Sequence, residues 1–176
     1  THCKSFFRSN FINSKSNTAT SSLNKLVNDF IFYYEKGLRA NKIGIPAGIF
    51  STNPLPNKVE AFYRKDISKE LVLVALQAVE DFFNGKHFNG NSTGESFKSY
   101  LLYLDRNDIY ISTRDQFNAA RIEINNLTNN LSEQVITDNS KMTRAYDELQ
   151  KAVVLLKVDM LQAFSINIDY VDADGD

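Results

Sequence analysis

Apolar residues recur along this chain mainly at helical spacing. Leu23, Leu26, Val27, Phe30, Ile31 and Tyr34 follow one another by short steps that keep to one face of a helix. Ser21 or Ser22 precedes the stripe as a candidate N-cap. Lys36, Arg39 and Lys42 place cations toward its far end, where the helix dipole favours them, and Gly37 weakens the last turns. Gly44 is expected to end the helix as a glycine of positive φ. The run Gly44-Ile45-Pro46-Ala47-Gly48, followed by Pro54 and Pro56, predicts a loop over 44–56. Val59, Phe62 and Tyr63 suggest a short helix after it.

Asp66 or Ser68 is the expected cap of the next helix, with Glu70 in its first turn. Ile67, Leu71, Val74, Ala78 and Phe82 form one apolar stripe on it, and Leu73, Leu76 and Phe83 a second. Two stripes predict a central helix buried on two sides. Gly85 ends it, and a turn-rich loop spans 85–94. A helix over about 95–104 carries Phe97, Tyr100, Leu101 and Leu104. Ile109-Tyr110-Ile111 is a short β-like run, read as a connector. A long helix is predicted over 113–136 from Phe117, Ala120, Ile124, Leu127 and Leu131, although Asn125, Asn126, Asn129 and Asn130 lower its propensity. After a turn at 137–140, a last helix over 140–164 shows Met142, Tyr146, Leu149, Val153, Leu156 and Met160, its face widened by Val154, Leu155, Val158 and Leu161. The two long helices joined by a short turn predict an antiparallel, up-down hairpin. The fold class expected is all-α, a helical bundle, with no internal repeat.

Composition narrows this little. Of 176 residues, 43 % are hydrophobic, enough for a sizeable core, and the net charge of −1 gives no global pull toward nucleic acid. Cys3 stands alone, which excludes an intrachain disulfide. No apolar run is long enough for a membrane span. The chain begins Thr1-His2-Cys3 without Met, which reads as a mature or truncated chain.

Candidate chemistry is sparse. His2-Cys3 lacks sequence-near partners for a metal. His87, after Gly85-Lys86, is a candidate base or ligand; the plainer reading is a contact with the preceding helix C-terminus. Asp172, Asp174 and Asp176, with Gly175 between the last two, resemble the first half of a calcium loop, though no bidentate Glu follows, so a solvated acidic tail is the alternative. Glu80-Asp81 and Asp147-Glu148 are adjacent on helices and do not converge on one atom. No metallopeptidase, nucleophile-elbow or phosphate-loop motif occurs, so no catalytic residue is assigned. Arg39 and Lys42, beside the glycine–proline run, are the candidate anion contacts.

The order of several segments resembles the C-terminal half of imelysin-like proteins, the iron-regulated protein A family. Leu-Arg-Ala-Asn-Lys-Ile-Gly-Ile-Pro-Ala-Gly-Ile-Phe at 38–50, Lys-Val-Glu-Ala-Phe-Tyr at 58–63 and Asp-Ile-Ser-Lys-Glu-Leu at 66–71 carry it. Asp-Phe-Phe-Asn-Gly at 81–85, Gly-Glu-Ser-Phe-Lys-Ser-Tyr-Leu at 94–101 and Asp-Tyr-Val-Asp-Ala-Asp-Gly-Asp at 169–176 continue it. The resemblance implies two helical bundles, with residues 1–19 as an N-terminal segment ending a preceding helical part and 20–176 as the second bundle. It implies an envelope protein, periplasmic or an outer-membrane lipoprotein, serving iron or haem uptake as a binding module. Some members are classed as metallopeptidases, but the family's Gly-x-His-x-x-Glu motif lies in the N-terminal half. Here His2 is followed three residues later by Ser5, and His87 by Gly90. Iron, haem or another metal would then be held only together with that half, present in the same protein or on a second chain. A metallopeptidase completed by that half, and a structural partner-binding bundle, are the alternative functions.

Overall fold

The computed structural model describes residues 2–16 and 18–170, residues 2–5 by backbone alone. The protein is an all-α helical bundle. Among the described residues no strand forms, and one isolated bridge joins Lys86 to Thr93. Asp172, Asp174 and Asp176 lie outside the described residues.

Helix α1 spans His2–Asn13. Helix α2 begins at Ser22, capped as expected by Ser21, whose hydroxyl accepts from Asn24 N. It does not stop at Gly44. Its α-helical part, Ser22–Phe32, passes into a π-helical run, Tyr33–Gly44, and then a last α turn, Ile45–Ala47. Gly44 holds helical angles (φ −64°, ψ −48°), and Gly48 is the left-handed residue that ends the helix, at φ 79°. Pro46 follows directly on a π-type bond from Ile45 N to Ala40 O, so its missing N–H removes one donor without breaking the helical path. Gly44 has a different reason to be glycine: a Cβ there would stand 2.7 Å from the Phe50 ring and 2.9 Å from the Tyr146 ring. The expected loop therefore shortens to 48–55, followed by a single 3-10 turn, Pro56–Lys58.

Helix α3 spans Ser68–Phe83. Ser68 is not its cap. The buried hydroxyl accepts from Leu131 N and donates to Asn129 O. Those two bonds, with Lys69 Nζ donating to Leu127 O, hold a break in what the periodicity presents as one long helix. Helix α5 spans Asn107–Asn125 and helix α6 Leu131–Thr137, after the seven-residue α4, Phe97–Tyr103. The asparagines cause the break, because short polar side chains offer the backbone alternatives to helix bonds. Asn130 caps α6 through Glu133 N. Ile109-Tyr110-Ile111 is helical, in the first turns of α5, where Ile109 is buried against the core. Helix α7 runs over 139–164, with π-helical turns at Leu155–Met160, and packs against α5 and α2. The core between them holds Tyr34, Leu38, Leu76, Phe83, Phe117, Met142, Leu149 and Leu156, all essentially without solvent contact. Val154 and Val158 of the last helix face outward instead.

Candidate functional site

Helix α3 is covered on one side only. Val72, Leu76, Val79 and Phe83 are buried, whereas Val74 and Phe82 remain about half exposed and Ala78 lies open. The uncovered stripe meets the face of α2 that carries Leu26, Phe30 and Tyr33, and the two enclose a recess of about 310 Å³ with Asp29 at its lip. A larger groove, about 630 Å³, shares Leu26 and Phe82 with this recess. Its walls come from Phe11 of α1, Leu23 and Leu26 of α2, the 84–95 hairpin, and Phe97, Tyr100 and Tyr103 of α4.

The hairpin places His87 in this wall. Gly85 turns the chain at φ 70°, Gly94 N donates to Gly85 O at 2.8 Å, and His87 N donates to Ser92 O at 3.0 Å. A Cβ on Gly85 would meet Gly94 O at 2.5 Å, and one on Gly94 would meet His87 Nε2 at 3.2 Å. Gly85 is required for this turn, and Gly94 gives the imidazole room to lie close against the hairpin beside the groove. Lys86 pairs with Asp81 at 3.3 Å at the same rim. Ser96 starts α4 with a capping box, exchanging bonds with Ser99. Aromatic rings fill the floor: Phe97 lies edge-on to Phe30 at 5.1 Å and to Phe82 at 5.7 Å, and Tyr100 packs on Phe164 at 4.7 Å.

The polar groups of α2 lie on another face. Glu35 is buried. Its carboxylate takes a 3.4 Å contact from Lys157 Nζ and a 2.7 Å hydrogen bond from the Tyr170 hydroxyl. The Tyr170 ring stands edge-on to Phe32 at 5.4 Å, with the Lys157 ammonium 5.5 Å from its centroid. Two turns before Glu35, the amide of Asn28 donates to Asn167 O and accepts from Asp169 N, gripping segment 166–170 along α2. Arg39 has no solvent exposure. Its guanidinium donates to the Tyr146 hydroxyl at 2.5 Å and to Gln150, and lies 5.3 Å from the Tyr146 ring. Lys42 pairs with Glu60 and is mostly covered. Tyr34, wholly buried, donates to Leu149 O at 3.1 Å. Burial pushes its phenol far above the usual range, with opposing help from Arg39.

Among the described candidate residues Arg39, Lys42 and His87, His87 alone reaches the groove. Arg39 and Lys42 sit in protein contacts on α2 and are not brought to it. Glu35, Lys157 and Tyr170 were not legible as a group, since they are far apart in the chain and none stands in a motif. The groove had a signal in the first apolar stripe of α3, whose Ala78 and Phe82 line the recess and the groove although periodicity assigns them to a core. Among the described residues no three His, Cys, Asp or Glu side chains cluster as metal ligands, and no helix is long and apolar enough to cross a membrane. Compared with protein-family models, curated proteins and solved structures, the chain matches none.

Proposed function

We propose that this chain is a binding module of an imelysin-like cell-envelope protein serving iron or haem uptake, and that the aromatic groove is its ligand site. The observation that carries the reading is the groove itself, which combines an apolar floor with an imidazole held at its wall. Its volume falls in the range of small-molecule sites, which pair apolar walls with a few placed polar groups. The donor set suits a planar, iron-bearing cargo: His87, Tyr100 and Tyr103 are of the two side-chain types, imidazole and phenol, that hold haem iron. Phe11 and the half-exposed Phe82 add aromatic surface beside them for a flat macrocycle. The uncovered α3 stripe supports the second part of the reading, a partner bundle, because an apolar helix face of this kind is normally covered. The family's N-terminal half, on the same protein or a second chain, is the partner proposed for it.

Titration with ferric haem, followed by the Soret band, tests the site. A saturable one-to-one shift is expected, weakened by about tenfold or more in His87→Ala. No shift, or wild-type affinity in both His87→Ala and a Tyr100→Phe/Tyr103→Phe variant, overturns the assignment.

A further inference from the structure

The mouth of the groove is framed by side chains that the bundle leaves in water. Phe88, at the hairpin tip, is fully exposed, Tyr103 is 81 % exposed, and Phe6 and Phe7 of α1 are 69 % and 72 % exposed. They belong to the three elements that build the mouth. Phe7 lies one helical turn from the groove-lining Phe11, with ring centroids 6.3 Å apart. Phe88 follows His87, which lines both the groove and the shallow pocket at the hairpin tip. Tyr103 lines the groove directly. Ordinary soluble surfaces do not gather free aromatics in one place.

The N-terminal segment that supplies the α1 wall is unevenly charged. Residues 1–28 contain Lys4, Arg8, Lys15 and Lys25 and no carboxylate, in a chain whose net charge is −1. Arg8, Lys15 and Lys25 are exposed. Aromatic side chains favour the boundary between headgroups and acyl chains, and cations beside them are drawn to anionic headgroups. An apolar protein pocket would accept the rings but gives no reason for a wall segment, residues 1–28, that carries cations and no carboxylate; the carboxylates near the groove are Asp29, Asp81 and Glu95, and Asp81 is paired with Lys86.

We propose that this aromatic, cationic face docks on an anionic lipid surface, with the mouth of the groove held at the interface. The contact is peripheral: single rings enter the headgroup region and the cations supply the attraction, so binding is reversible and weakened by salt.

Flotation with phosphatidylcholine vesicles, with and without phosphatidylglycerol, tests the proposal. The chain is expected to float with the anionic vesicles, to bind the neutral ones at least about tenfold less, and to be released by high salt. Phe7→Ser/Phe88→Ser and Arg8→Glu/Lys15→Glu should each reduce anionic-vesicle binding by about tenfold, with unchanged circular dichroism. No binding to anionic vesicles, or binding by both variants as strong as that of the wild-type chain, overturns it. So does a stable dimer, detected by light scattering, that Phe7→Ser/Phe88→Ser abolishes while wild-type chain fails to float. None of the four substituted positions lines the groove, so a failed flotation and a failed haem titration are separate outcomes.

Discussion

Gly44→Ala separates two physical reasons for a glycine. If Gly44 were there for backbone freedom, alanine would strain the chain at positive φ. Its helical angles remove that cost, and on propensity alone alanine would stabilise by about 1 kcal/mol. Packing opposes this. The new methyl would lie 2.7 Å from Phe50 Cε2 and 2.9 Å from Tyr146 Cε2, both well inside contact distance. Tyr146 cannot easily yield, because its hydroxyl and ring are both engaged by buried Arg39. Overpacking of this kind costs about 1–3 kcal/mol, so the net expectation is a loss of about 1 kcal/mol, or roughly 2–4 °C in Tm for a chain of this size. Phe50 is 40 % exposed and can move aside. In a Phe50→Ala background the cost of Gly44→Ala should therefore fall by about 1 kcal/mol, a coupling readable from a double-mutant cycle in urea. Gly48→Ala should be worse than either, by about 3 kcal/mol, because it meets both a positive φ and the backbone of Asn53 at 2.8 Å. A Gly44→Ala variant that is stabilised, or whose cost is the same with and without the Phe50 ring, would refute the packing account.

Three further outcomes follow from buried polar groups. Glu35→Ala should destabilise by about 3 kcal/mol, since it removes the buried carboxylate that both Lys157 and the Tyr170 hydroxyl engage, whereas Glu35→Met/Lys157→Met should return to within about 1 kcal/mol of wild type in urea melts. Tyr34 keeps its proton in the folded protein because burial raises its pKa; its contribution is therefore complete below the unfolded phenol pKa of about 10 and is lost as pH rises above it, so stability should fall in alkaline melts and Tyr34→Phe should fall less. Ser68→Ala should cost about 2 kcal/mol in the same urea assay, because it strips bonds from Asn129 O and Leu131 N at once.

The helical class and most helix centres were legible because apolar spacing records burial directly. Ser21 as a cap, Gly85 as a stop and the Met142–Met160 stripe all follow from local chemistry and hold in the structure. What was illegible shares one feature: a residue type that serves two purposes. Glycine permits positive φ and also permits close approach; at Gly44 the second reason applies, and one of the two rings it approaches, Tyr146, lies about a hundred residues away in sequence. Serine caps helices and also bridges loops; Ser68 bridges, to backbone at Asn129 and Leu131. Asparagine lowers helix propensity without announcing where the chain will break. Apolar stripes specify a covered face without saying that the cover belongs to the same chain, which is why Phe82 reads as core and lines a groove.

Helix α2 uses these ambiguities to do two different jobs on two faces. Leu23, Leu26, Phe30 and Tyr33 give a mainly apolar wall whose one polar neighbour on the helix, Asp29, stands at the lip of the recess. Asn28, Phe32 and Glu35, on another stripe, engage segment 166–170 and Lys157 through directional bonds that only one register satisfies. Buried polar pairs add little net stability compared with apolar replacements, but they penalise every alternative alignment. The polar seam thus holds α2 in one position relative to α7, and the apolar face inherits that position. An aromatic groove whose walls come from several helices keeps its shape only if those helices cannot slide. The Glu35→Met/Lys157→Met protein therefore carries a second expectation, apart from its near-normal stability. With the register no longer specified, its haem affinity should drop although neither position touches the groove, and an unchanged titration would show that the apolar core alone sets the alignment.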